Sequence, residues 1–362
     1  MEPSPRRSKR RVLSRRSSHR IGFRFRIGAV RRSLLVIVGM AVLALTALGA
    51  AQARAGSPRG LTASASTSPA HPASVLLSLG VLGNSQRFQS LTGQRSTTGH
   101  LIVGWGQGAG FGSDFSSLFA TMGQLPMLGI NTGSAISPGE IGRGRGDDYL
   151  IALNRAIAAW AKPIYIRPLP EMNGHWNAYC AFNSNGSPRG ADYSTANYRK
   201  AFARIYLIVH GGGAVNRRLR ALGLPPVREP LAANALARVI WNPQGYGSPD
   251  VPGNSAAAYY PGDAYVDVVG DDLYDIRGKA EWAAAESLYN AHPGKPFAFP
   301  EWGLWGVDDP SFVDTMARFV STHRRTQLVA YYSGQPGSVF DLASKPRSRS
   351  EYRRVIVALA RQ

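Results

Sequence analysis

The sequence is poor in cysteine and in acidic residues. Its 362 residues include one cysteine, Cys180, which excludes an internal disulfide. Acidic residues number 22 against 42 Lys and Arg, so the formal net charge is +20 at pH 7. Apolar residues make up 44% of the chain, which is enough for a large buried core. This composition excludes both an intrinsically disordered chain and a small disulfide-stabilised scaffold.

Several motifs of known catalytic centres are also absent. The seven histidines show no H-E-x-x-H or other paired spacing, which argues against a zinc centre. No G-x-S-x-G occurs, which removes the simplest serine hydrolase. Residues 104–110 nominally fit a glycine-rich dinucleotide loop, but no acidic residue follows at the expected distance. We therefore expect neither a metal nor an organic cofactor.

The basic excess is concentrated near the N-terminus. Residues 1–53 hold 12 of the 42 basic residues and a single acid, Glu2. Their Arg-rich part precedes a charge-free apolar stretch, residues 33–53, that ends in the small-residue pattern Ala-Gln-Ala. This order is typical of an export signal with a cleavage site for signal peptidase. An uncleaved membrane anchor over residues 33–53 is the alternative, because the run approaches the length that spans a bilayer.

Both interpretations place the rest of the chain outside the cytoplasm. We therefore expect a secreted or extracytoplasmic protein, either free or anchored to the membrane. The apolar stretch directly behind the Arg cluster disfavours a nucleic-acid-binding arm, and no nucleic-acid partner is expected. Residues 54–72 are rich in Ser, Thr, Pro, Ala and Gly and predict a flexible linker. Residues 73–362 are then expected to fold as one domain.

Eight short apolar runs alternate with loops and with stretches of helical spacing in this domain. Such alternation predicts parallel strands covered on both faces by helices. Helices are predicted from Asp147 or Asp148 to Trp160, and from Ser194 or Thr195 to just before Gly211. Eight units in about 290 residues is the size of a (β/α)8 TIM barrel, an α/β fold. An open doubly wound sheet is the alternative. The eight runs are residues 75–80, 100–105, 126–131, 163–169, 238–242, 265–274, 296–301 and 327–332.

Two glutamates follow predicted strands, where a barrel carries its active groups. Glu171 lies in RPLPEMNGHW (167–176) and Glu301 in FPEWGLWG (299–306), so both have aromatic and glycine neighbours. Aromatic rings suit the flat faces of sugars, and apolar surroundings raise the pKa of a carboxyl group. Either glutamate alone could equally be a helix cap or a solvated side chain. Together they predict a glycosidase, because glycoside hydrolysis uses a pair of carboxyl groups.

The runs around both glutamates resemble motifs of glycoside hydrolase family 26, which includes endo-β-1,4-mannanases. RPLPEMNGHW (167–176) is similar to the family motif RPLHEMNG-W, and PEWG (300–303) resembles the nucleophile motif. VIWNP (239–243) is similar to the family's fifth strand, and YPGDAYVDVVGDDLYD (260–275) to the approach to its sixth. The resemblance implies a TIM barrel and a retaining endo-glycosidase that acts on a β-linked polysaccharide such as mannan.

The resemblance also implies roles for residues at matching positions. Glu171 would be the acid/base and Glu301 the nucleophile, with Tyr274 donating a hydrogen bond to the nucleophile. Arg167 would lie beneath the site and hold a carboxylate ionised, although a buried ion pair that serves only the fold is an equal alternative. Asp272 matches an aspartate of the family's pattern. The other implied substrate-binding residues are Trp176, Trp241, Trp302 and Tyr331.

Two departures from the family's motifs bear on the substrate. Pro170 stands before Glu171 where the family has histidine, and residues 331–333 read Tyr-Tyr-Ser where a tryptophan is common. We therefore expect plain β-1,4-mannan to be a weaker substrate than another β-linked polymer. A glycosidase for another β-glucan, for xylan or for an exopolysaccharide remains an alternative, as does a non-catalytic carbohydrate-binding barrel. A monomer with a polysaccharide as its partner is expected.

Overall fold

A closed barrel of eight parallel strands forms the centre of the protein. The computed structural model describes residues 77–359. Each strand pairs with its neighbours in chain order, and the first strand closes the barrel by pairing with both the second and the eighth. The strands are β1 (Ser78–Leu82), β2 (Thr98–Gly104), β3 (Met127–Asn131), β4 (Ile164–Pro168), β5 (Ala237–Trp241), β6 (Val268–Ile276), β7 (Phe297–Trp305) and β8 (Thr326–Tyr332).

The predicted TIM barrel is thereby confirmed, and the open doubly wound sheet is excluded because the sheet closes. Every one of the eight predicted apolar runs overlaps one strand. A separate pair of short strands, Gln107–Gly108 and Phe111–Asp114, follows β2. The helices are α1 (Ser85–Thr92), α2 (Phe115–Thr121), α3 (Pro138–Gly142), α4 (Asp147–Trp160), α5 (Thr195–His210), α6 (Val215–Ala221), α7 (Ala256–Tyr259), α8 (Trp282–Ala291), α9 (Pro310–Thr322) and α10 (Pro346–Leu359).

The two helices predicted in detail form as expected, with one difference in capping. The Ser194 side chain accepts a hydrogen bond from the backbone N–H of Asn197 and so caps α5. Helix α4 begins at Asp147, but the residue at its N-cap position is Gly146, and no side chain caps the helix. The Asp147 carboxylate instead accepts hydrogen bonds from the buried guanidinium of Arg204 on α5. The expected aspartate cap is thus replaced by a contact between two helices.

The predicted export segment (1–53) and linker (54–72) lie outside the described residues, and so does the predicted start of the folded domain at residue 73. Within residues 77–359, no helix has both the length and the apolar character needed to cross a bilayer.

Apolar side chains form two layers, one inside the barrel and one between the strands and the helices. Successive residues of a strand point to opposite faces, so residues two apart face the barrel axis together. On β8, for example, Leu328 and Ala330 belong to the inner layer, while Val329 and Tyr331 belong to the outer one. The inner layer consists of Met127, Tyr165, Ile240, Val268, Ala298, Leu328 and Ala330.

A bulge in β7 shifts this alternation next to Glu301. Ala298 pairs with Gly270 of β6, yet the next pair joins Glu301 to Asp272, so β7 has one residue more than its neighbour over this stretch. The pairing of β7 with β8 shifts at the same place. Beta-bulges re-aim side chains in this way, often beside active sites. As a result Ala298 and Glu301, three residues apart, both point inward.

Candidate active site

Arg167 connects the polar groups at the carboxyl end of the barrel. Its side chain on β4 is fully buried. Its Nε donates a hydrogen bond to Oδ1 of Asn242 at 2.6 Å, and its two terminal nitrogens pair with Glu301 and Asp272. Burial opposes the guanidinium charge, but the charges of Asp272 and Glu301 raise the pKa of Arg167 nonetheless. A permanent positive charge therefore lies beneath the site.

His100 on β2 lies against the same guanidinium. Its Nε2 is 3.4 Å from Nη1 of Arg167. Burial and the charge of Arg167 lower the pKa of His100 to about 3, so the imidazole is neutral at physiological pH.

Glu301 is held in its ionised form. Arg167 donates to its Oε1, and the hydroxyl of Tyr274 donates to its Oε2 at 2.6 Å. Burial alone would raise the pKa of Glu301, but the charge of Arg167 and these hydrogen bonds hold that pKa below its ordinary value. A buried, oriented carboxylate is thus present at neutral pH.

Glu171 lies on the loop after β4, in a different environment. Its Oε2 accepts a hydrogen bond from the indole N–H of Trp176 at 2.7 Å, and its Oε1 accepts one from the side-chain amide of Gln244. Burial and the charge of Glu301 raise the pKa of Glu171, against the lowering effect of Trp176. The raised pKa makes Glu171 the better proton donor of the two carboxyl groups.

The backbone of this loop is itself unusual. Leu169 and Glu171 have φ values of 50° and 51°, in the left-handed region that residues other than glycine rarely adopt. The backbone N–H of Glu171 donates to the carbonyl of Asn242 at 2.7 Å, which ties the loop to the end of β5. Such conformations are concentrated at functional sites, where the surrounding structure enforces them.

Both glutamates line one cavity of about 630 Å³ that opens at the carboxyl end of the barrel. Aromatic rings with large exposed fractions border it: Trp176 is 49% exposed, Trp305 45% and Tyr246 42%. Flat apolar surfaces beside a few oriented polar groups are the usual make-up of a small-molecule or sugar site. The apolar lining consists of Ile102, Trp176, Tyr246, Leu273, Tyr274, Ile276, Trp305, Tyr332 and Phe340.

Five of the eight site residues predicted from the sequence come together here. Glu171, Glu301, Tyr274 and Trp176 line the cavity, and Arg167 lies directly beneath it.

Trp241, Trp302 and Tyr331 do not reach the cavity, and their predicted position in the sugar cleft is wrong. All three are fully buried in the layer between strands and helices. Trp241 follows the inward-facing Ile240, so its ring points outward. Trp302 and Tyr331 are paired in register across β7 and β8, and both pack against Tyr352 of α10.

The alternation of side chains along a strand predicts the positions of Trp302 and Tyr331 correctly. Adjacent residues on a strand face opposite sides, so an inward Glu301 excludes Trp302 from the cleft and favours Trp305. By the same reasoning Tyr332 rather than Tyr331 borders the cavity. Gln244 and Tyr246, by contrast, lie on an irregular loop, and no periodic pattern predicts where their side chains point.

The fold resembles that of known mannanases, although no family model matches the chain. Mannanase BCman of Bacillus subtilis superimposes with a TM-score of 0.51 and 17% identity, over 78% of this chain and 86% of that chain. A second B. subtilis mannanase superimposes with a TM-score of 0.50 and 16% identity, with the same coverage of both chains. The chain therefore has the barrel fold of these two mannanases, which is the fold that the resemblance in sequence implied.

The chain is also similar in sequence to a known protein. Over 197 residues the chain is 23% identical to Endoglucanase H of Acetivibrio thermocellus. The matched region covers 54% of this chain and 19% of that protein, so the chain matches about a fifth of its relative's length.

Proposed function

We propose that this protein is a retaining endo-glycoside hydrolase that cleaves a β-linked polysaccharide. The observation that carries the proposal is the pair Glu171 and Glu301, which line one cavity and have pKa values displaced in opposite directions. One carboxyl group with a raised pKa and one with a lowered pKa in the same site are what a general acid and a nucleophile require. The mannanases that share the fold and the endoglucanase related in sequence support the same class.

In the first step Glu171 protonates the glycosidic oxygen while the Glu301 carboxylate attacks the anomeric carbon. The sugar–oxygen bond breaks, the leaving chain departs as an alcohol, and a glycosyl ester forms on Glu301. Arg167 and Tyr274 orient the attacking carboxylate and keep it ionised. In the second step Glu171 removes a proton from water, which attacks the anomeric carbon; the bond from this carbon to Glu301 breaks, and the sugar leaves with its original anomeric configuration.

The charge of Glu301 favours the change of Glu171 from an acid in the first step to a base in the second. Its negative charge is one cause of the raised pKa of Glu171. When Glu301 becomes an ester, that charge is lost and the pKa of Glu171 falls. Glu171 therefore becomes a better base at the stage that needs one, and the hydrogen bonds from Trp176 and Gln244 stabilise its carboxylate.

The surroundings of Glu171 favour a polymer other than plain β-1,4-mannan. Pro170 has no side-chain donor, and its carbonyl accepts a hydrogen bond from the Tyr179 hydroxyl at 2.6 Å, so this position anchors the loop. At the end of β8 the ring that borders the cleft is Tyr332. A hydrogen bond to a sugar hydroxyl that is missing from the site weakens discrimination for that sugar.

Hydrolysis of a polysaccharide panel tests the function directly. Mannan, mixed-linkage glucan, xylan and cellulose are incubated with the wild type and with Glu301→Ala, and new reducing ends are measured. Glu229→Ala, at an exposed carboxylate that pairs with Arg155, is the matched control. We expect cleavage of at least one polymer by the wild type and the control only, with a product of retained anomeric configuration by NMR. Binding without hydrolysis would instead favour a carbohydrate-binding barrel.

We also propose that the protein is exported. The Arg-rich residues before the apolar stretch 33–53 support this, and so does a polymeric substrate, which would lie outside the cell. N-terminal sequencing of protein from the culture medium and from membranes distinguishes a signal cleaved near residue 53 from an uncleaved anchor.

A further inference from the structure

A second cavity of about 490 Å³ adjoins the cleft. Gly245, Tyr246 and Glu281 line both cavities, so the two meet at the half-exposed ring of Tyr246. Asp250 and Ser255 line the second cavity and not the first. A sugar chain bound at Glu171 can therefore continue past Tyr246 into this second cavity.

The two cavities are acidic although the protein is strongly basic. Basic residues outnumber acidic ones 42 to 22 in the chain. Yet the linings contain six carboxyl groups against one ammonium group, that of Lys279. Arg167 compensates Asp272 and Glu301 from below. The lining carboxyl groups are Glu171, Asp250, Asp271, Asp272, Glu281 and Glu301.

Asp271 is a buried carboxyl group of this set with one oxygen left unpartnered by residues 77–359. It is 1% exposed and lines the cleft beside Tyr246, and its Oδ1 has no hydrogen-bond partner among residues 77–359. Neither Asp271 nor Glu281 forms a salt bridge within that part of the chain. Burial raises the pKa of Asp271 to about 8, against the lowering effect of backbone hydrogen bonds from Gly245 and Asp272. Without a nearby cation this carboxyl group is therefore largely protonated at neutral pH, and a bound ammonium group would favour its ionised form. A buried polar group left without a partner is costly, which indicates that a ligand supplies one.

We propose that Asp271 and Glu281, with the ring of Tyr246 between the two cavities, form an amine subsite. It binds the protonated amino group of an unacetylated amino sugar in a β-linked polysaccharide. An ammonium group supplies both the donor that Asp271 lacks and the positive charge that a hydroxyl cannot supply. A uronic acid would instead meet carboxyl groups of its own sign. The inference rests on the proposed function, since it names the substrate of that same cleft.

Binding of matched oligosaccharides tests the subsite without relying on turnover. Titration calorimetry compares the β-1,4-linked tetramer of glucosamine with its fully N-acetylated form and with cellotetraose, at a pH where the amines are protonated. We expect the free-amine tetramer to bind about tenfold more tightly than the other two, as charge-assisted hydrogen bonds provide. The preference should shrink in high salt, because partly exposed charges are screened. Equal binding of the three tetramers would overturn the proposal.

Variants test whether Asp271 and Glu281 cause the preference for the free-amine tetramer. Asp271→Asn and Glu281→Gln should each reduce the ratio of free-amine to cellotetraose affinity severalfold. Asp314→Asn, at a partly exposed carboxylate on α9 that does not line either cavity, is the matched control and should keep the full preference. Glu281 is exposed, so its variant tests the subsite even where the buried Asp271→Asn fails to fold. A preference that both folded variants retain would refute the assignment.

The outcomes separate this inference from the proposed function. Hydrolysis of a neutral β-glycan without any preference for the free amine would refute the amine subsite and leave the hydrolase standing. Asp271-dependent binding of the glucosamine tetramer without hydrolysis of any polymer would refute the hydrolase and leave the subsite standing.

Discussion

Glu171 and Glu301 are the same residue type in one cavity, yet their surroundings differ. Glu301 is on a strand and contacts the buried cation Arg167, which holds its pKa low. Glu171 is on a left-handed loop, accepts hydrogen bonds only from neutral donors, and has a raised pKa. The comparison teaches that a directly bound cation, rather than burial alone, decides whether the pKa of a carboxyl group is raised or lowered.

The largest expected effect separates the two glutamates by function. Glu301→Ala should lower kcat by about 10⁴-fold or more on any substrate, because the nucleophile is lost. Glu171→Ala should retain measurable cleavage of aryl glycosides whose leaving groups need no protonation. Steady-state kinetics on an aryl glycoside and on the polymer measure the asymmetry. If azide restores the activity of Glu171→Ala, with a product of unchanged anomeric form, Glu171 is the acid/base. A fully active Glu301→Ala would show that Glu301 is not the nucleophile.

Removing the cation should make Glu301 more like Glu171. Arg167→Met leaves Glu301 and Asp272 buried without their positive partner, which should cost about 3 to 5 kcal/mol of unfolding free energy. The pKa of Glu301 should rise, so the acid limb of kcat/KM should move to higher pH. Chemical denaturation and a pH–rate profile check both parts. An unmoved acid limb in the folded variant would show that Arg167 serves only the fold.

A change beside Glu171 should widen the difference between the pKa values of the two glutamates. The Trp176 indole N–H lowers the pKa of Glu171 by donating to its carboxylate. Trp176→Phe keeps an aromatic ring and removes that donor, so the pKa of Glu171 should rise further. Activity requires the protonated acid, and the basic limb of kcat/KM should therefore shift to higher pH, with a rate loss of about tenfold. A basic limb shifted to lower pH would contradict the assigned role.

The smallest expected effect concerns the choice of sugar beside Glu171. Pro170→His adds a ring nitrogen next to the acid and should move the ratio of kcat/KM values toward mannan, by a few fold, relative to mixed-linkage glucan and xylan. Comparison of the two forms on the three polymers measures the change. If mannan is already the best wild-type substrate by a wide margin, Pro170 does not redirect specificity.

Much of the fold could be predicted because parallel strands buried on both faces leave continuous apolar runs. All eight runs overlap strands, and the glutamates at two of the strand ends meet in one cavity. The errors concern side-chain direction. Trp241 and Tyr331 lie in predicted runs and Trp302 directly follows one, and which face of each strand is inward depends on the register of the closed barrel. The loop that brings Gln244 to Glu171 has no periodicity from which to predict it.

The sequence by itself determined the barrel class and the identity of the paired carboxyl groups, because local apolar patterning and strand-end motifs are properties of the chain alone. The tertiary structure decided which groups meet. The extra residue in β7 turns Glu301 toward Arg167, on a strand 134 residues earlier in the chain. The tertiary structure also brings six carboxyl groups together in the two adjoining cavities of a basic protein. Contacts between residues so distant in sequence depend on strand register and bulges, which closure of the barrel establishes.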